Sequence, residues 1–284
     1  MKYRELVDQL DAQFAAAGID SSRADAELLI AHCADLNRSD LAIKIIMDEE
    51  LDASILETIL ELAARRAQRE PLQHLTSKAY FRNLELWVGP GVFVPRPETE
   101  SVTQLAIDAL KALASPSPIA VDLATGSGAI ALSLATEVPY AKVFAVELNP
   151  DSIKYTAKNF ERYAAENGEL REGDLRFAFD DLAGQVDVLI SNPPYIPNDM
   201  IPIYPEVVKF DPAMALYGGA DGLDLVREVA KRGQLLLKPG GTIVIEHADI
   251  QGEGVRGILE AEGFRQVTQH RDFNLRDRAV TAIR

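Results

Sequence analysis

The stretch Asn192-Pro193-Pro194-Tyr195 carries the residue types needed to grip a flat primary amide or amine. Two consecutive prolines donate no hydrogen bonds and fix φ, so the Pro193 carbonyl is held outward as a pure acceptor. The Asn192 side-chain oxygen offers a second acceptor. Together they can take both hydrogens of one NH2 group and leave its lone pair aimed at an electrophile, while Tyr195 stacks on the flat acceptor. An amide nitrogen is a weak nucleophile because its lone pair is delocalised into the carbonyl. The clamp favours pyramidalisation and demands no strong base, since the proton becomes acidic only as the new bond forms. An accidental proline turn is the plainer reading, and the loop and acids upstream argue against it.

A second constellation lies where a strand at 119–123 runs into Ala124-Thr125-Gly126-Ser127-Gly128 and then into a helix. Glycines in such a turn let the backbone approach a ligand, and the free amides of the following helix favour an anion or carboxylate. With Ala131 and with Glu147 about twenty residues on, the loop also fits a dinucleotide fingerprint. The loop alone leaves a nicotinamide enzyme, a methyltransferase and a structural turn open. Glu147 can accept both ribose hydroxyls of any adenosine ligand and does not discriminate. Asp122 does: an acid just before the glycines would face a pyrophosphate badly, whereas it can receive the ammonium of a methionine moiety. This favours S-adenosylmethionine. Asp174, after the third strand, can accept an adenine amino group or, equally, satisfy its own turn.

The elements that must position these residues follow from the hydrophobic period. From residue 3 to about 70 the pattern is helical, with Leu6, Leu10 and Phe14 on one face and Ile55, Ile59 and Leu62 on another. Ser21 and Asp52 are expected N-caps, and about four helices form a small helical domain over 1–75. In 76–96, two β-prone runs, 84–88 and 92–94, flank Gly89-Pro90-Gly91 and predict a β-hairpin linker. Over 97–284 strand and helix alternate as in an open, mostly parallel α/β sheet. Strands are expected at 119–123, 142–146 and 186–190, a helix at 223–237 stopped by Pro239-Gly240-Gly241, a strand at 242–245, and a terminal hairpin at one edge. The clamp then sits at the carboxyl edge, where open sheets place ligands. The long stretch 197–215 is a candidate lid.

Charge and composition narrow the classes. A net charge of −15, with only 29 Lys and Arg, repels phosphate backbones and tilts against a nucleic-acid substrate. The first fourteen residues mix charges among the apolar positions, so no signal peptide or membrane span is expected there and a cytoplasmic location is. Cys33, the single cysteine, sits among apolar neighbours and reads as a buried helix thiol. His32, His74, His247 and His270 show no ligand spacing, and no metal is expected.

The chain resembles the peptide chain release factor glutamine methyltransferases of the PrmC/HemK type. The likeness rests on Arg69-Glu70-Pro71-Leu72-Gln73-His74-Leu75, on Phe93-Val94-Pro95-Arg96-Pro97-Glu98-Thr99-Glu100, on the loop after Asp122, on the Asn192 clamp, on Gly218-Gly219-Ala220-Asp221-Gly222-Leu223 and on Asp277-Arg278. The Pro-Arg-Pro-Glu-Thr-Glu run is the most telling, because nucleic-acid amino-methyltransferases share the clamp without it. The resemblance implies a seven-strand, Rossmann-like S-adenosylmethionine-dependent methyltransferase domain with an antiparallel terminal strand, preceded by a helical substrate-binding domain. It implies as acceptor the glutamine of the Gly-Gly-Gln motif in class 1 release factors, with no direct contact to nucleic acid or membrane. Ala124 to Gly128, Glu147 and Asn192 would contact the cofactor, the adenine would lie near Asp174 and Leu175, and Asn192, Pro193, Pro194 and Tyr195 would hold the glutamine. Arg96 and Glu98 would shape the wall between the ligands or brace the hairpin. Ala124 stands where the family usually has glycine, Thr76 replaces a common glycine, and Asp211-Pro212 a common Glu-Pro. The rivals are an adenine amino-methyltransferase, a binding-only protein and a nicotinamide dehydrogenase, the last disfavoured because no hydride-site pair follows the loop.

Overall fold

Apolar residues at helical spacing organise the amino-terminal part of the computed structural model, which describes residues 1–164 and 166–284. The chain forms two units, Met1–Lys78 with Pro202–Phe210, and Ala79–Ile201 with Asp211–Arg284. In the first, α1 (Tyr3–Ala16), α2 (Ser22–Cys33), α3 (Arg38–Ile46) and α4 (Ala53–Ala67) bury Leu6, Leu10, Phe14, Leu29, Ile30, Leu41 and Ile59, and the short α5 (Leu72–Thr76) closes the set. Asp52 caps α4 as expected, accepting from the Ser54 amide at 2.9 Å. Ser21 does not cap α2; its hydroxyl donates instead to Asp25 Oδ1 at 2.8 Å. Cys33 is only partly buried, and burial raises its thiol pKa, which keeps it protonated and inert. Arg66 is the buried centre of an ion network: Nε meets Asp25 Oδ2 at 2.7 Å, and Nη1 and Nη2 each meet Glu206 Oε1 at 3.1 Å. Arg69 holds the other oxygen of Glu206 at 2.7 Å. The middle of the expected lid, Pro202–Phe210, is thus part of the helical unit.

In the second unit β1 (Lys78–Phe81) pairs with β2 (Leu84–Trp87). This hairpin is one run earlier than the sequence suggests. Its turn is at Arg82, in the left-handed region at φ 51°, and residues 92–94 form no strand. Gly89-Pro90-Gly91 instead packs on a later helix, the Gly91 carbonyl accepting from Asn149 Nδ2 at 2.8 Å and Ser152 Oγ at 3.0 Å. The turn itself forms, the Val92 amide donating to the Gly89 carbonyl at 3.1 Å, but it joins no pair of strands.

After α6 (Pro97–Lys111), with Pro97 at its first position, come β3 (Ile119–Leu123), α7 (Ala129–Glu137), β4 (Lys142–Glu147), α8 (Pro150–Tyr163), β5 (Gly168–Glu172), β6 (Val186–Ser191), α9 (Pro205–Phe210, which lies in the first unit), α10 (Asp224–Leu236), β7 (Leu237–Glu246), α11 (Gly252–Ala261), β8 (Arg265–Arg271) and β9 (Asp277–Ile283). Seven strands form one sheet in the order β5-β4-β3-β6-β7-β9-β8. The first five run parallel, and β9 enters antiparallel between β7 and β8. One face packs Ala120, Val143, Val188 and Ile190 against α6, α7 and α8; the other packs Val121, Leu189, Ile243 and Ile245 against α10 and α11. Both faces are covered, which is why the strands read as continuous apolar runs. Pro239-Gly240-Gly241 does not separate helix from strand: β7 begins at Leu237 and absorbs these residues in a bulge between the pairs Val186–Leu237 and Val188–Thr242.

Candidate active site

Chain order reverses between β3 and β6, the switch point at which open α/β sheets open a crevice. Leu123 and Ser191 are register partners, and Ser191 Oγ donates to the Leu123 carbonyl at 2.6 Å. The two strands therefore stop level, and the Ala124 loop and the Asn192 loop leave the sheet side by side. Glu147 ends β4 opposite Glu172 at the end of β5, and Asp174 follows two residues later. Along one edge stand Asp174, Glu147, the glycine loop and the clamp, a line roughly 14 Å long at normal strand spacing.

The glycine loop is tied down from beneath. Asp122 is fully buried, and its Oδ2 accepts from Thr125 Oγ1 at 2.5 Å and from the Ala131 amide at 3.2 Å. Burial pushes its pKa up to about 7, against the pull of those two donors. Thr156 holds the Gly126 carbonyl, and Asn159 Nδ2 holds that of Ser127 at 2.9 Å. Glu147 Oε2 accepts from the Gly126 amide and Oε1 from the Asn149 amide, both at 2.7 Å. Burial raises the Glu147 pKa and these amides oppose it. Each of its oxygens keeps another lone pair for a hydroxyl. Among the described residues, the amides of Ser127, Ala129 and Ile130 have no internal acceptor, and a β-carbon at Gly126 would meet nothing within 4 Å. Open space, free amides and an acid with spare lone pairs suit an adenosine-bearing amino acid: amides for its carboxylate, Glu147 for its ribose. Ala124 takes φ 63°, so the expected crowding at this β-carbon is met by a left-handed alanine, which costs about 1 kcal/mol.

The clamp is held from outside by the glycine-rich run after residue 217. The Ile196 amide donates to the Leu216 carbonyl at 2.8 Å and the Gly218 amide to the Ile196 carbonyl at 2.9 Å. A β-carbon at Gly218 would sit 2.5 Å from the Pro194 carbonyl, and one at Gly222 would strike the Tyr195 carbonyl. Gln251 Nε2 donates to that same Tyr195 carbonyl at 2.8 Å. Among the described residues, neither Asn192 Oδ1 nor the Pro193 carbonyl accepts an internal hydrogen bond. Among the described residues, these two acceptor oxygens are thus unengaged in a loop braced at the Tyr195 carbonyl and at Ile196. The Tyr195 hydroxyl lies 3.5 Å from Glu246 Oε1, and burial beside that carboxylate holds its pKa well above the ordinary phenol range. Tyr195 is a neutral phenol here and no base.

Residues 5–76 match the family model of the PrmC N-terminal domain and residues 83–201 that of the Methyltransferase small domain. The Release factor glutamine methyltransferase of Streptomyces coelicolor is 49% identical over 97% of this chain and 96% of its own. The chain belongs to the release factor glutamine methyltransferase family. It is an S-adenosylmethionine-dependent methyltransferase. Another relative, the 4-amino-L-phenylalanine/4-methylamino-L-phenylalanine methyltransferase of Streptomyces pristinaespiralis, is 35% identical over 99% of this chain and 94% of its own. A methyltransferase from Pyrococcus furiosus shares the fold with a TM-score of 0.50 at 20% identity, covering 70% of this chain and 88% of that one.

The expected site residues differ in how they are held. Asp122 is buried beneath the loop it braces, and its Oδ1 has no hydrogen-bond partner among the described residues. Asp174 caps the Arg176 amide at 2.9 Å and pairs with the Arg176 guanidinium, which depresses its pKa. The turn-acid reading is the one its contacts fit. Leu175 is buried in the core beneath it. Arg96 acts as a brace: its Nη2 meets Asp211 Oδ2 at 2.7 Å, and its guanidinium lies over the Phe93 ring. Sequence reasoning missed Thr99, Thr156, Asn159, Glu246 and Gln251. Thr156 and Asn159 had a signal, polar residues on the face of α8 that also carries Phe160. Glu246 had a fainter one, a charge ending the apolar run of β7.

Proposed function

We propose that the enzyme transfers a methyl group to the side-chain amide nitrogen of the glutamine in the Gly-Gly-Gln motif of class 1 peptide chain release factors. The observation that carries this reading is the pair of unengaged oxygens, Asn192 Oδ1 and Pro193 O, one strand away from the glycine loop. In this reading the loop Ala124, Thr125, Gly126, Ser127 and Gly128 takes the amino-acid end of the cofactor, Glu147 its ribose, and the edge near Asp174 and Leu175 its adenine. Asp122 holds the loop in shape. S-adenosylmethionine supplies an electrophilic methyl group on a sulfonium. The clamp accepts both amide hydrogens, aligns the nitrogen lone pair for in-line attack, and excludes the carbonyl oxygen from that position. As the N–C bond forms and the S–C bond breaks, the amide nitrogen gains positive character, which the two clamp oxygens stabilise until one proton leaves to water. Pro194 and Tyr195 bound the flat group on its faces. The names of the family's members support the acceptor, and a charge of −15 disfavours the adenine rival.

A second reading, transfer to an aromatic amine, is favoured by the Streptomyces pristinaespiralis relative. One incubation separates them: enzyme and methyl-labelled cofactor with either a release factor or 4-amino-L-phenylalanine. A labelled tryptic peptide containing Gly-Gly-Gln is the expected product. Label only on the free amine would replace the assignment.

A further inference from the structure

Asparagine can present either end of its amide, and only one end can grip a second amide. With Oδ1 inward, Asn192 accepts a substrate N–H; with Nδ2 inward, it meets the substrate NH2 as a second donor and repels it. Something must hold the productive orientation. The Asn192 Nδ2 group donates to Thr99 Oγ1 at 3.4 Å. Thr99 is 4% exposed in the first turn of α6, and its neighbour on the far side is Glu246. Glu246 is the last residue of β7, completely buried, and one position beyond the register pair Ser191–Ile245. Asn192 and Glu246 thus stand next to each other at the ends of adjacent strands, with Thr99 close to both. With its Nδ2 turned to Thr99 Oγ1, Asn192 has its oxygen as the end left to face an acceptor amide. The same Glu246 takes the Tyr195 hydroxyl.

We propose that Thr99 and Glu246 are positioning residues for the acceptor: the Thr99 hydroxyl fixes Asn192 with Oδ1 inward, and Glu246, through the Tyr195 hydroxyl, fixes the ring beside it. The assignment rests on the clamp reading above and gives the threonine of Pro-Arg-Pro-Glu-Thr-Glu a task. Glu98 and Arg278 also face Glu246, with opposite effects on its charge. Neither is interposed between Thr99 and Asn192 in the hydrogen-bond chain.

The test uses the full-length enzyme with a release factor and S-adenosylmethionine, comparing wild type with Thr99→Val, Thr99→Ser, Glu246→Gln and Asn192→Ala. Thr99→Val keeps the shape and removes the hydroxyl. It is expected to lower kcat about tenfold, the worth of roughly one hydrogen bond, while calorimetric affinity for the cofactor stays within about twofold. Thr99→Ser restores the rate, and Glu246→Gln, a weaker acceptor, lowers it about threefold. A Gly-Gly-Glu peptide, whose carboxylate suits an inward NH2, inhibits Thr99→Val more strongly than wild type. An unchanged kcat in Thr99→Val, failure of serine to rescue, or a parallel loss of cofactor affinity overturns the assignment. If Asn192→Ala is as active as wild type, the clamp reading fails and takes this inference with it. If Asn192→Ala is inactive while Thr99→Val is normal, only the inference fails.

Discussion

Asn192 and Glu246 sit one strand apart and carry opposite consequences for stability and rate. Asn192→Ala removes one of the two acceptors that orient the reacting nitrogen. A drop in kcat of about 10²-fold with little change in cofactor affinity is expected, by analogy with removal of one charge-stabilising group elsewhere. Steady-state kinetics with calorimetry checks it. Glu246 is different because complete burial raises its pKa from 4.5 to about 7, with Thr99, Arg278 and Tyr195 pulling it back only in part. A carboxyl whose folded pKa lies above its unfolded one binds its proton more tightly in the native state. Its contribution to stability is therefore greatest below pH 4.5 and is lost as pH rises through 7. Glu246→Gln removes that loss. The variant should match wild type at pH 4.5 and exceed it at pH 8 by about 1–3 kcal/mol in urea unfolding, while turning over more slowly. A variant less stable at both pH values would contradict the balance. Retaining a buried acid at the cost of stability is what a positioning role predicts.

At the scale of elements, the edge of the sheet is a set of short connections held by glycine. Gly222 has φ 75° and no room for a β-carbon, which would meet the Tyr195 carbonyl and the Gln251 amide. Gly222→Ala should cost about 2–4 kcal/mol and lower Tm, because neither the backbone nor Gln251 can retreat without freeing the clamp. Circular dichroism melting alongside kcat is the measurement, and unchanged values for both would remove the bracing role. The same scale shows where local signals misled. Gly89-Pro90-Gly91 reads as a hairpin turn, but its carbonyl is claimed by Asn149 and Ser152 of the α8 start, and the true turn is at Arg82. Arg82 meets Glu137 at 2.6 Å and takes Gln104 at 2.7 Å, while its amide donates to Glu100. Partners 18 to 55 residues away selected a turn that local composition marks only with Asn83.

For the molecule as a whole, Arg66 shows how the helical unit is keyed by charge as well as by its apolar core. Its guanidinium is buried between Asp25 and Glu206, the latter 140 residues away in sequence. Arg66→Ala leaves the buried Asp25 without its cationic partner and Glu206 with Arg69 alone, and should destabilise the unit by about 3–5 kcal/mol in thermal unfolding of the full chain. A loss below about 1 kcal/mol would mean the network is solvated. The sequence alone determined the fold class, the two candidate loops and the residue types of the clamp, because apolar period, proline and glycine act over a few neighbours and leave a local trace. It also carried Thr99 and Glu246 in plain view without their meaning. Which residues stand together was decided by the sheet: level ends of β3, β6 and β7 bring Gly126, Asn192 and Glu246 to one edge, and α6 lays Thr99 against Asn192. Asp122 shows the same division, since its type is legible and its burial is not. Burial and partnership depend on strand order and register, which are cooperative properties of the packed sheet and have no expression in any single stretch of chain.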